Sequence, residues 1–155
     1  MNKKIILNSL IILSFVALSF AYFVEFILGH EPCSLCKIER IPYIGSIILG
    51  SLLLFVNKWE KKILVIIFLF FVFGSLISIY HIGIEQGIFS ESLLCELGLN
   101  SNIKNPDELL RTLEITPVSC KDVTFRIFGL SLATFNAVLS IVVSYILFKL
   151  IIKNE

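Results

Sequence analysis

Charge is scarce in this sequence. Lys and Arg number 13 and Asp and Glu 12 among 155 residues, a net charge of +1, so no global basic field points to nucleic acid. Polar surface is short as well. With 57% hydrophobic residues and a mean hydropathy of +0.93, the chain is too apolar for a soluble domain of its length. Strict alternation is also missing. The apolar stretches are continuous, which argues against a membrane β-barrel and for helices that satisfy their own backbone hydrogen bonds. Finally, no cysteine lies within any of those stretches.

What is present sorts into four apolar runs, 5–28, 41–56, 63–80 and 128–148, each a candidate membrane span. The second rises only about 24 Å as a helix against a hydrocarbon core of about 30 Å, so it borrows a turn at its ends or thins the bilayer locally. Trp59 is placed to anchor its inner end. Lys3 and Lys4 before an apolar run, with small residues at Ser19 and Ala21, resemble a cleaved signal, but the run exceeds the usual core of about 7 to 15 residues. A retained first span is expected.

Lys3, Lys4, Lys58, Lys61, Lys62, Lys149 and Lys153 fall at the two chain ends and in the middle linker, accompanied only by Glu60 and Glu155. Segment 83–126 carries seven acids against four basic residues, and 29–40 carries two of each. The positive-inside rule then puts both termini and the linker in the cytoplasm and the two loops, about 29–40 and 83–126, on the outer side. The expected fold is an all-α membrane protein, a four-transmembrane-helix bundle formed as a single domain over residues 1–155.

All four cysteines, Cys33, Cys36, Cys95 and Cys120, lie in those two outer loops. An oxidising compartment pairs such thiols unless they turn over in a redox cycle. Cys33-Ser34-Leu35-Cys36 is a C-x-x-C pair, whose thiols form a reversible disulfide and are readily tuned to low pKa. Lys37 adjoins it, and Arg40, four positions beyond Cys36, would reach over the sulfur on a helical turn; either cation favours a thiolate. Arg40 as an interfacial anchor is the bland alternative. Pairing of Cys95 with Cys120 closes a long loop and reads equally as a structural staple. Four thiolates on zinc are disfavoured by the wide second spacing and the oxidising surroundings, and no metal is expected.

The segment Pro32-Cys33-Ser34-Leu35-Cys36-Lys37-Ile38-Glu39-Arg40 resembles the DsbB disulfide bond formation proteins, whose first outer loop carries Pro-Cys-x-x-Cys followed by x-x-Glu-Arg. The similarity extends over nearly the whole chain, including the cysteine pair in the longer loop and the Phe128-Gly129-Leu130 run after Cys120. It implies a quinone-linked protein-disulfide oxidase with ubiquinone or menaquinone as electron acceptor and a periplasmic DsbA-type thioredoxin-fold thiol oxidase as partner. It further implies that Cys33 and Cys36 are the quinone-proximal pair, with Cys36 engaging the quinone as a thiolate complex or adduct and Arg40 polarising a quinone oxygen. Cys95 then forms the mixed disulfide with the partner and Cys120 resolves it. His81 stands where relatives can carry a histidine beside the quinone; a helix-capping imidazole fits as well. Glu39 orients Arg40 or is a solvated loop charge. Lys37 departs from the apolar residue frequent at that place, which bears on rate.

Other features have plainer readings. Asn136, Ser140 and Ser144 share one helical face, and helix packing explains them better than a proton path, as it does Gly45, Gly50 and Gly74. Glu25 is expected to reach the interface. Segment 106–113 has helical apolar spacing and lies on the membrane or packs as a loop helix. A tetraspanin-like organiser is disfavoured because no Cys-Cys-Gly occurs, and vitamin K epoxide reductase relatives carry their C-x-x-C near a late span. A structural membrane protein with stapled loops remains the alternative to an oxidase.

Overall fold

The computed structural model describes residues 3–55, 59–90, 95, 119–121, 125–127 and 129–153. Long helices form where the apolar runs are: α1 Lys3–Phe26, α3 Ile41–Phe55, α4 Glu60–Glu85 and α5 Leu132–Lys153, with a single short turn, α2 Ser34–Ile38, between the first two. Helix α1 stops because the Leu28 and His30 amides fold back onto the carbonyls of Phe23 and Val24, at 3.2 Å each.

The helices run up and down. Ser14 of α1 meets Ser46 of α3 through a 2.6 Å hydroxyl contact, Tyr43 of α3 meets the Phe71 ring of α4 edge-on at 5.5 Å, and Phe68 of α4 meets Phe148 of α5 at 6.0 Å. Gly50 of α3 stands against Leu7 and Ile11 of α1, and Pro42 and Gly45 of α3 stand against Gly74 and Phe70 of α4, so these neighbours run antiparallel, as short connections require. Asn136 ties three helices together, donating to Ser78 Oγ at 2.7 Å and accepting from the Tyr43 hydroxyl. The polar face of α5 is therefore an interhelical contact, as expected from its spacing.

Small residues set the approach distances. A Cβ on Gly74 would stand 2.9 Å from Cγ of Pro42, so α3 and α4 reach their spacing only with glycine there. The core centres on Ile67 and Phe71, both fully buried, with Val143 and Leu147 of α5. The opposite faces stay apolar: Phe15, Ile48, Leu76 and Val138 are all more than half exposed. Helices greasy on both faces belong in lipid. Three of them, Ile5–Phe26, Glu60–Glu85 and Leu132–Lys153, are long and apolar enough to cross a membrane, so the chain is a multi-pass membrane protein. Helix α3, of 15 residues, spans about 22 Å and falls short by length alone.

Two boundaries differ from the sequence expectation. The run 128–148 does not begin as helix: Arg126–Ile127 and Leu130–Ser131 pair as antiparallel strands β1 and β2 around Gly129, whose φ of +83° suits glycine. Helix α5 starts only after Ser131, whose Oγ accepts the Thr134 amide at 3.3 Å, a capping contact that hydropathy does not register. At the other loop edge, α4 continues past residue 80 to Glu85, which brings His81 and Glu85 into one helical turn. Segment 106–113 lies outside the described residues.

Candidate active site

Cys33 sits just before α2 with extended backbone (φ −63°, ψ 168°), and its Sγ accepts the Cys36 amide at 3.3 Å. The single turn of α2 then carries Cys36 back over Cys33, since residues three apart share a helical face, and the two Sγ atoms lie 2.8 Å apart. Leu35, fully buried against Ile84 and its neighbours, pins this turn to α4. Both thiols are free.

Helix α4 delivers His81, only 3% exposed, with Nε2 3.5 Å from Cys33 Sγ and Nδ1 3.0 Å from Glu39 Oε1. Glu85, one turn on, places Oε1 3.8 Å from Nε2. The result is a buried chain of thiol, imidazole and carboxylate. The two thiols are driven apart in acidity. Cys33 is lowered to about 5, first by its contact with the Cys36 thiol and then by the His81 imidazole, against an opposing push from burial. Cys36 is pushed far up by the same contact with Cys33, by burial and by the nearby charges of Cys33 and Glu39. Within the reduced pair the surroundings favour the thiolate at Cys33 and the thiol at Cys36.

Cys95 and Cys120, 25 residues apart, form a disulfide with a Cα separation of 6.0 Å. It packs in one buried cluster with Cys33, Leu35 and Ile84, and Ser34 Oγ donates to the Cys95 carbonyl at 3.4 Å. The loop pair and the C-x-x-C pair are therefore neighbours, which their sequence positions did not show.

Both pairs open onto a cavity of about 400 Å³. Its lining is mostly apolar, with Val16, Phe20 and Leu139 among its walls, and Cys36, Arg40 and His81 are among its polar residues. Helix α2 ends at Ile38, and the Arg40 guanidinium pairs with Glu25 of α1 at 2.5 Å and lies 4.7 Å over the Tyr22 ring.

The family model for disulfide bond formation protein DsbB matches residues 3–150. The chain belongs to the DsbB family. An uncharacterized protein of Rickettsia prowazekii (strain Madrid E) is 30% identical over 142 residues, covering 89% of this chain and 81% of that one. No solved structure matches.

Seen as a DsbB protein, the chain gathers five of its six expected site residues, Cys33, Cys36, Cys120, Arg40 and His81, on the wall of one cavity, and Cys95 sits behind them through its disulfide. Glu39 is not a solvated charge and does not orient Arg40: it is 7% exposed and holds His81. Sequence reasoning missed Glu25 as the partner of Arg40, and missed His30 and Phe125, cavity residues whose rings lie 5.2 Å apart. Only Glu85 left a signal, its four-residue spacing from His81. The cavity lining is mostly apolar, and Arg40 and His81 stand among its polar residues together with the dithiol. Cys33, Cys36 and a His81 ring nitrogen also lie within 4.8 Å of one another, a spacing that suits a metal ion.

Proposed function

We propose that this chain is a quinone-linked protein-disulfide oxidase that reoxidises a periplasmic DsbA-type thiol oxidase and passes electrons to ubiquinone or menaquinone. The observation that carries the reading is that the Cys95–Cys120 disulfide and the Cys33–Cys36 dithiol share one buried cluster beside an apolar cavity.

The chemistry is successive thiolate exchange. A thiolate of the reduced partner attacks Cys95; a partner–Cys95 disulfide forms and Cys120 leaves as a thiolate. Cys120 attacks the oxidised Cys33–Cys36 bond, and exchange through the shared cluster leaves the partner oxidised, Cys95–Cys120 closed and Cys33 and Cys36 reduced. A quinone, when bound, accepts two electrons and two protons. Arg40 and His81 would hold its oxygens. Cys33 stands ready as the thiolate, and His81, steadied by Glu39, stands beside it to move a proton. The resemblance puts Cys36 against the quinone, whereas the acidity order makes Cys33 the resting thiolate; a proton passed across their 2.8 Å contact reconciles the two.

The lysine distribution supports both termini in the cytoplasm and the cysteines on the periplasmic face of the inner membrane. Helix α3, the most apolar of the four, then serves as a fourth crossing in a locally thinned bilayer.

The test is anaerobic thiol trapping in membranes, with and without added quinone. The reading expects reduced protein to regain both disulfides only with quinone, and Cys33→Ser and Cys36→Ser to fail. Cysteines that stay oxidised in every variant and ignore quinone would make this a structural protein with stapled loops.

A further inference from the structure

We propose that the reduced Cys33–Cys36 pair and His81 form a zinc site, with Glu85 as fourth ligand and Glu39 as the carboxylate that orients the imidazole. A four-thiolate site is ruled out, because Cys95 and Cys120 are spent on their disulfide. The second cluster is different in kind. Two free thiols and a ring nitrogen lie within 4.8 Å of one another, and all three residues line the cavity.

The distances suit a tetrahedral ion. With Zn–S of about 2.3 Å and Zn–N of about 2.0 Å, the edges of a tetrahedron are roughly 3.5–3.8 Å. Cys33 Sγ stands 3.5 Å from His81 Nε2, and Glu85 Oε1 stands 3.8 Å from the same nitrogen. The 2.8 Å separation of the sulfurs must open by roughly 1 Å, and the Glu85 carboxylate, outside the three-residue cluster, must turn in to complete the set. The imidazole is already oriented. Its Nδ1 is held by Glu39 at 3.0 Å, leaving Nε2 toward the sulfurs, the carboxylate–histidine arrangement found behind zinc ligands. Thiolate with imidazole selects a borderline-soft cation over magnesium or calcium.

The site is gated by redox state. Binding needs both sulfurs as thiolates and displaces any proton they hold, with no change in oxidation state, so a Cys33–Cys36 disulfide offers no ligand. A bound ion ties down both sulfurs and stops their reoxidation. Binding stands independently of the proposed oxidase activity; the inhibition rests on it.

The full chain in detergent, reduced anaerobically and freed of reductant, is titrated with Co²⁺, which reports thiolate ligation by charge-transfer absorption, and then with Zn²⁺. One equivalent is expected to bind to reduced wild type and to the Cys95→Ser/Cys120→Ser variant, Zn²⁺ displacing Co²⁺, and none to oxidised wild type, whose unchanged sequence controls for folding. His81→Gln and Glu39→Gln are expected to weaken affinity by about 10–100-fold. Absorption that persists in oxidised or alkylated protein, vanishes in the Cys95→Ser/Cys120→Ser variant, or ignores His81→Gln overturns the site. Quinone-dependent reoxidation run in chelator separates the two ideas. Reoxidation without cobalt binding sinks the metal site alone, and cobalt binding without reoxidation sinks the oxidase alone.

Discussion

The acidity of Cys33 makes a quantitative demand on the reduced protein. Its pKa is lowered to about 5, so the thiolate is present above that pH and is lost as pH falls through it. At pH 6 such a thiol is roughly 90% ionised, whereas an ordinary one near 8.5 is roughly 0.3% ionised. Alkylation of Cys33 should therefore change by only about 1.1-fold between pH 6 and pH 8, against about 75-fold for an ordinary thiol. The absolute rate is a poor readout, because nucleophilicity falls with pKa by a Brønsted slope of about 0.4–0.5 and cancels most of the gain in thiolate. The groups that act on Cys33 are Cys36 from α2 and His81 from α4. Glu39 and Glu85 act behind His81 through their contacts with its ring. The assay is iodoacetamide labelling of anaerobically reduced protein in chelator, with mass spectrometry separating Cys33 from Cys36. Replacing His81 with Ala should shift the Cys33 midpoint upward. A Cys33 midpoint near 8, or labelling of Cys36 ahead of Cys33 in acid, would refute the arrangement.

Three other consequences follow from the geometry. Gly74→Val places a side chain where even a Cβ stands 2.9 Å from Pro42; overpacking of this kind costs about 1–3 kcal/mol, which thermal unfolding in detergent should show as a lower Tm, while an unchanged Tm would mean that α3 and α4 do not pack this closely. Glu25→Gln releases Arg40 from its 2.5 Å ion pair and Arg40→Gln removes the cation itself, so the two should move the KM for quinone in opposite directions, downward for the first; parallel changes would show that Arg40 acts only through folding. With the chain in sealed, right-side-out membrane vesicles, a membrane-impermeant maleimide should label the reduced Cys33–Cys36 pair from outside and a cysteine introduced at Lys62 only after lysis; the reverse pattern would invert the topology.

How much was legible in the sequence differs from element to element. Hydropathy located all four long helices, because continuous apolar runs and helical self-satisfaction of the backbone are local properties. The cysteines, in their C-x-x-C and loop positions, announced redox chemistry for the same local reason. Boundaries set by single contacts were not legible: Ser131 capping α5, or α4 continuing through His81 to Glu85. Glu39 shows the limit best. In sequence it neighbours Arg40, yet in space α2 ends at Ile38 and the carboxylate turns inward to His81, 42 residues away.

By itself, then, the sequence determined that this is a helical membrane protein whose four cysteines lie outside its apolar runs, since both statements depend only on residue type and position along the chain. Tertiary structure alone decided that Cys95–Cys120 shares a buried cluster with the dithiol, that Arg40 answers Glu25, and that His81 stands beside Cys33 to favour its thiolate. Each of these rests on side chains brought together from different helices and on burial, and neither distance nor dielectric is written in the order of residues.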